Sequence, residues 1–386
     1  MIEPSIQGVI ARNSHPAGCA AFLRSWAARC TAPNSNSALS AGPRVLVLGA
    51  SSGYGLALRT VLLQEYAART LGVAYERGPS GQYSGSAGWH LSAAFAELAA
   101  EQGLPGETLM LDAFAPASRQ TVIETIRRDF GQVDLVVYSL AAGQRTVDGR
   151  KVRSAIKPAG APYQGYQLDL ATDKLQPVTL EPASSQEMAD TVTVMGGEDW
   201  QQWMTALQEA DVLAPGARSV AFSYIGPAST WPLYRDGTLG QAKADLHQRA
   251  QQINAQLQTL GGGAWVVVAK ALVTKASIFI PGMAPYLMAL YAVMKEQGVH
   301  EDCLDQMQRL CHSQLFAEQV HTDSDQLIRL DDWELAEPVQ QAVDARLALL
   351  NPDNFMQYGD YQGVKQEFLA MNGFGIAGVD YSDEGA

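Results

Sequence analysis

Basic residues are in short supply. The 386 residues include 27 Lys plus Arg against 40 Asp plus Glu, a formal net charge of −13. A general grip on DNA or RNA works by neutralising phosphates, so the deficit argues against nucleic acid as a partner. Cysteine is scarce too: Cys19, Cys30, Cys303 and Cys311 form no CxxC pair, and the six histidines are scattered. No disulfide framework and no metal site is indicated, and reduced thiols in a cytoplasmic setting are expected. A long clean apolar run is also missing. The richest stretch, Ala264 to Met294, is broken by Lys270, Lys275, Pro281 and Pro285. That falls short of the roughly 18 residues a spanning helix requires, so no membrane insertion is expected. The opening MIEPSIQGVIARNSHPAG carries acid, proline and polar groups where a secretory signal would be apolar.

What is present is a βαβ rhythm. Hydrophobic residues make up 47% of the chain, ample for a core. Short apolar runs recur at 44–49, 71–76, 107–112, 133–139, 218–226 and 264–274, with helical patterns such as Ser118 to Phe130 and Ala242 to Leu257 between them. Runs this apolar read as parallel strands covered on both faces. The expected fold is α/β, a Rossmann-like doubly wound parallel sheet with three elaborations: an N-terminal extension, an inserted hairpin and helix region, and a helical C-terminal extension. The core would occupy about 44–142 and 199–280, the insertion about 143–198 and the C-terminal elaboration about 281–386, all in one compact unit. Turn signals at Asp148-Gly149, Pro158 and Pro162 mark hairpins in the insertion, ahead of a helix from about Glu198.

The first strand runs straight into Gly49-Ala50-Ser51-Ser52-Gly53-Tyr54-Gly55, which opens a helix. Glycines there let the backbone turn tightly and approach a pyrophosphate, whose charge meets the helix N-terminus. The strand, turn and helix context favours a dinucleotide over an unliganded tight turn. Glu76 ends the next strand, 21 residues beyond Gly55, where an acid accepts from the adenosine ribose hydroxyls; this favours NADH/NAD. Arg77 follows at once and would suit a 2′-phosphate. Asp112, after the third strand, is placed for the adenine amino group, and Ser139, Leu140 and Ala141 close the fourth strand on the nicotinamide side.

Beyond the fifth strand stand Tyr224, then Tyr234 and Lys243 with eight residues between them. At about 100° per residue, nine intervals reach the opposite face of a helix, so one unbroken helix cannot aim both at a shared cofactor. Gly237 and Gly240 resolve this by leaving Tyr234 on a loop and Lys243 in the first turns of the helix. A buried lysine cation beside a phenol would lower its pKa and suit it to proton transfer, with Tyr224 as a second donor to the same oxygen. Ordinary packing roles for the tyrosines and a solvated lysine are the alternative.

Seven segments, VLVLGASSGYGLA, SAGWHLSAAF, GQVDLVVYSLA, ADTVTVMGGEDWQQWM, SYIGPASTWPLY, RLDDWEL and GFGIAGVDY, together with Tyr-x8-Lys, are similar to the FabV-type enoyl-ACP reductases and the closely similar trans-2-enoyl-CoA reductases. The resemblance runs from the His15-Pro16 region to the C-terminus. It implies NADH-dependent reduction of a trans-2-enoyl thioester, carried by acyl carrier protein or coenzyme A, within fatty acid synthesis. Carried over by motif, it implies cofactor contacts at Gly49, Ala50, Ser51, Ser52, Gly53, Tyr54, Tyr75, Glu76, Asp112, Ala113, Leu140, Ala141, Lys243, Leu272, Val273 and Thr274. Tyr224 would meet substrate and Tyr234 would donate the proton. Lys275 and Phe279 depart from the pattern and would add charge and bulk near the nicotinamide end.

Two further segments carry expectations. Met283 to Met294 is apolar on nearly every side and reads either as the wall of an acyl tunnel or as plain core. Arg145, Arg150, Lys151, Arg153 and Lys157 interrupt the acidic average and would dock an anionic carrier, or simply coat a solvated hairpin. Other readings are a coenzyme A-specific reductase, a catalytically inactive NAD-binding homologue, and a short-chain carbonyl reductase; the nine-residue interval counts against the last. A monomer is expected, with a weak dimer as the alternative.

Overall fold

β-branched and leucine-rich runs form the centre of the protein. The computed structural model describes residues 2–32, 42–81 and 83–382, so part of the expected N-terminal extension, 33–41, and Gln82 lie outside the described residues. Seven parallel strands make one sheet: β1 (Arg44–Leu48), β2 (Arg69–Ala74), β3 (Thr108–Met110), β4 (Val133–Tyr138), β5 (Leu213–Ser223), β6 (Gly263–Val268) and β7 (Leu327–Arg329). Their order is β7-β6-β5-β4-β1-β2-β3, so the winding direction reverses between β1 and β4. A doubly wound sheet opens its ligand crevice at that reversal, outside the carboxyl ends of the strands.

Alternation along the strands explains the two helical layers. Val45 and Val47 point to one face with Leu135 and Val137, while Leu46 and Leu48 point to the other with Val136 and Tyr138. The first face is covered by α1 (Pro16–Ala27), α2 (Gly53–Tyr66), α3 (Ala87–Glu101), and later by α8 and α9 (Met283–Glu296 and Cys303–Leu310). The second is covered by α4 (Pro116–Thr125), α6 (Glu198–Glu209) and α7 (Thr238–Gln258). Two C-terminal helices, α10 (Glu337–Leu349) and α11 (Tyr361–Ala370), pack onto the α8 side.

The insertion holds two antiparallel hairpins, Gln144–Val147 with Arg150–Arg153 and Tyr163–Asp169 with Lys174–Leu180. Asp148 and Gly149 both have positive φ, which the tight two-residue turn of the first hairpin requires. Within the insertion, a helix that the sequence reading did not resolve, α5 (Ser185–Met195), precedes α6. Its start is fixed by a capping box in which Ser184 and Glu187 bond each other's backbone N–H, a signal present in the sequence as S-x-x-E.

The string MGGEDWQQW is used for packing. Gly197 lies so close to α7 that an added Cβ would stand 2.7 Å from the Arg249 Cβ. Trp200 and Trp203 are fully buried, their indole N–H groups donating to the Ser219 hydroxyl and the Ala113 carbonyl. Asp199 is buried between Arg119 and the Tyr138 hydroxyl.

Candidate active site

Residues following all seven strands gather on one rim. β1 leads into Gly49 at φ +86, where a Cβ would stand 2.3 Å from the Ser139 carbonyl oxygen at the end of β4. Gly55 approaches the Gly49 carbonyl so closely that its Cβ would lie 2.0 Å away. Glycine is therefore demanded by backbone conformation at one position and by close approach at the other. Ser52 caps α2 in extended conformation, and its side chain bonds none of the helix amides. Those N–H groups and the positive end of the helix are left for an anion, which fits a dinucleotide pyrophosphate.

The other predicted cofactor residues lie along the same rim. Ser51 donates to Glu76 Oε1 at 2.8 Å. The Glu76 carboxylate presses on α3 at Gly88, where a Cβ would come within 2.1 Å of the same oxygen; this accounts for the glycine in SAGWH. Tyr75 is 80% exposed, whereas Ala50 and Ala113 are buried. Asp112 accepts from the Phe114 N–H at 3.0 Å. Leu140 is half-buried and Ala141 exposed beyond β4. Leu272, Val273 and Thr274 are buried beyond β6, with Thr274 in van der Waals range of a Cβ built on Gly53. Tyr54 stacks on Phe222 and donates to the Lys270 carbonyl.

Lys275 overturns an expectation. Its Nζ lies 3.5 Å from both oxygens of Glu76, the acid read from the sequence as an adenosine-ribose contact, rather than near the residues read as the nicotinamide side. The loop after β6 arches over the glycine turn and carries the cation across. Phe279, in contrast, is 40% exposed on that loop.

Tyr234 sits in the turn before α7, and Lys243 lies on the second turn of α7. Gly240 makes the approach possible, since its Cβ would stand 2.0 Å from the Arg235 carbonyl oxygen. The insertion supports the same turn: Pro158 bridges Gly237, and Thr238 N–H donates to the Lys157 carbonyl. Tyr234 is 7% exposed and meets the Tyr224 ring edge to face, centroids 4.6 Å apart. Lys243 Nζ donates to the Phe222 carbonyl at 3.0 Å, and loss of hydration brings its pKa down to about 8.

The expected lowering of the Tyr234 pKa by Lys243 is reversed. Burial, reinforced by the charge of Glu334, pushes that phenol up from its ordinary value. Tyr224 donates its proton to Glu334 at 2.9 Å, so it is not a free second donor. Glu334 is the residue that sequence reasoning missed. Its only signal was the RLDDWEL string, which places an acid just ahead of a helix.

Two other expectations change. Leu287 and Met288 are fully buried in the core and do not line the cavity found beside α8. That cavity, of about 180 Å³, lies at the start of the helix and is lined by Tyr163, Tyr166, Leu233, Met283, Tyr286 and Leu347, among others. The basic cluster is largely neutralised: Arg145 pairs with Glu198, Arg150 with Asp190 and Lys157 with Glu187. Among the described residues, only Lys151 and Arg153 of the five lack a carboxylate partner.

A family model described as the trans-2-enoyl-CoA reductase catalytic region matches residues 83–316, and one described as the NAD(P)H binding domain of the same reductase matches 1–81. An enoyl-acyl-carrier-protein reductase (NADH) 2 of Photobacterium profundum is 47% identical over 388 residues, covering 99% of this chain and 96% of the relative. The chain belongs to the trans-2-enoyl reductase family. A second relative, from Vibrio vulnificus strain YJ016 and carrying the same name, is 48% identical over 391 residues, covering 99% and 97%. The solved trans-2-enoyl-CoA reductase of Clostridium acetobutylicum in complex with NADH superposes with a TM-score of 0.95 at 38% identity, over 100% of this chain and 97% of that one. The Treponema denticola enzyme in complex with NAD gives 0.94 at 39%, covering 100% and 98%.

A third family model, described as an enoyl reductase FAD binding domain, matches 322–384. The residues there do not fit a flavin. No glycine stands between β7 and α10, and Val339, Val343, Val364 and Phe368 bury the helix faces in the reductase core. No step is assigned to a flavin. The boundaries of the three models cut through the sheet: β1 and β2 fall in the first region matched, β3 to β6 in the second and β7 in the third.

Proposed function

We infer that this protein reduces the carbon–carbon double bond of a trans-2-enoyl thioester with NADH, in fatty acid synthesis. The observation that carries the reading is the edge-to-face pair of Tyr234 and Tyr224, with Lys243 held on the Phe222 carbonyl just before Tyr224, on the rim that also bears the glycine turn and Glu76. NADH, when bound, supplies the hydride for the substrate β-carbon. Negative charge then develops on the thioester oxygen, and a preorganised donor at that point contributes about 10² to 10³ in rate. Tyr234 is that donor: its raised pKa keeps it protonated at rest, and burial strengthens its hydrogen bond. Its proton completes the saturated product at the α-carbon. Lys243, fixed on the Phe222 carbonyl, holds the nicotinamide ribose. Glu76 accepts from the adenosine ribose with Ser51 orienting it, and its charge opposes a 2′-phosphate.

Relatives named for acyl carrier protein and for coenzyme A support both carriers. Exposed Lys151 and Arg153 support docking of an anionic carrier at the first hairpin. The four free cysteines support a reducing, cytoplasmic setting. One chain carries every group invoked and its sheet spans all three regions matched, which supports a monomer working as a single unit.

The test is NADH oxidation with a short 2-enoyl-CoA and the matching enoyl-ACP. Tyr234→Phe is expected to lower kcat by about 10² or more while leaving NADH affinity within about twofold. Equal losses in both would remove its role as proton donor, and no turnover with either thioester would leave a nicotinamide-binding protein without this activity. The ratio of kcat/KM values assigns the carrier.

A further inference from the structure

Glu334 stands on the loop between β7 and α10, wholly buried and 110 residues from Tyr224 in sequence. Oε1 accepts the hydroxyl protons of Tyr224 at 2.9 Å and of Tyr286, from α8, at 2.5 Å. Oε2 accepts the Ala271 N–H at 2.7 Å, on the loop that continues into Leu272, Val273 and Thr274. Gln340, from α10, closes the network by donating to the Tyr286 hydroxyl and to the Glu334 carbonyl. A buried carboxylate is expensive unless its lone pairs are met, and here three donors from three elements meet them.

A phenol has one proton to give. Tyr224 gives its proton to Glu334, so its hydroxyl has none left for a substrate oxygen. What Tyr224 then offers the reaction is its ring, whose edge-to-face contact fixes Tyr234. We propose that Glu334 is a positioning residue for the reduction: it anchors Tyr224 by its hydroxyl, so that the Tyr224 ring braces Tyr234 and Tyr234 alone donates to the developing enolate oxygen. The same carboxylate ties this brace to the β6 loop through Ala271, coupling the proton donor to the segment beside the cofactor groove. The proposal rests on the reading of Tyr234 as proton donor.

A double-mutant cycle on the full chain tests it, with kcat for a short 2-enoyl-CoA, NADH affinity by fluorescence titration and the thermal midpoint measured on each protein. Glu334→Gln keeps the shape but turns one acceptor into a donor, and is expected to lower kcat about ten- to a hundredfold with NADH affinity within about twofold. Combined with Tyr224→Phe, it should cost no more than Tyr224→Phe alone, because the carboxylate acts through that hydroxyl. A kcat within twofold of the unmodified protein, or losses that multiply in the double variant, overturns the proposal while leaving the reductase reading intact. A parallel loss of NADH affinity also overturns it, since that is general damage to the rim. If Glu334→Gln does not fold, the cycle is run with Tyr286→Phe and Tyr224→Phe, whose hydroxyls share Oε1; coupled losses support the anchor and independent losses overturn it. Absence of turnover by the unmodified protein overturns the parent reading and this one together.

Discussion

Lys243 and Lys275 are two lysines on one rim with opposite circumstances. Lys243 is stripped of water, and its pKa falls from 10.5 to about 8. Below that value it is a cation able to hold a ribose hydroxyl, and as pH rises through about 8 the charge is lost. NADH affinity of the free protein is therefore expected to fall on the alkaline side of pH 8, read by fluorescence titration across that value; a flat profile would place Lys243 outside the cofactor contacts. Lys275 is 53% exposed at its side chain, so its pair with Glu76 is a weak, salt-screened one. Even so, it offsets part of the charge with which Glu76 opposes a 2′-phosphate. Lys275→Gln is expected to weaken NADPH binding several-fold more than NADH binding at low salt, the difference shrinking as salt is added. Equal effects on the two dinucleotides would remove Lys275 from cofactor choice. Both residues stood out along the chain, but their pairing did not, because 199 residues separate Lys275 from Glu76.

Elements were easier to read than their contacts. The apolar runs of β1 to β6 announced buried parallel strands because few polar residues interrupt them, and the glycine turn announced itself by following one directly. β7 was hidden, since the three residues Leu327–Arg329 are too few to set a pattern, and with it went Glu334. α8 was legible as wholly apolar, but apolarity does not say which side faces a cavity. The cavity lies at its first turn and is shared with the second inserted hairpin and with α10. Leu347 reaches it from α10, and Leu233, the residue before Tyr234, lines it as well. Leu347→Trp is expected to fill that space and shift kcat/KM toward shorter 2-enoyl thioesters, compared across a chain-length series. An unchanged preference would take this cavity off the path of the acyl chain.

At the scale of the molecule, every group assigned to chemistry lies on the carboxyl rim, and the amino rim is left to structure. There Arg44 pairs with Asp134, and Arg128, 68% exposed at its side chain, lies just ahead of β4. The native thiols are poor nucleophiles: Cys19 is pushed up to about 12 by burial, Cys303 and Cys311 are buried as well, and Cys30 also rises to about 12. Thiolate, not thiol, reacts with alkylating agents, so these four remain slow at neutral pH. A single thiol introduced as Arg128→Cys should therefore be labelled far ahead of them, which mass analysis after brief alkylation would read directly. Tethered through that point, the protein would stand on an electrode or bead with its cofactor groove facing outward, an orientation determined by the winding of the sheet.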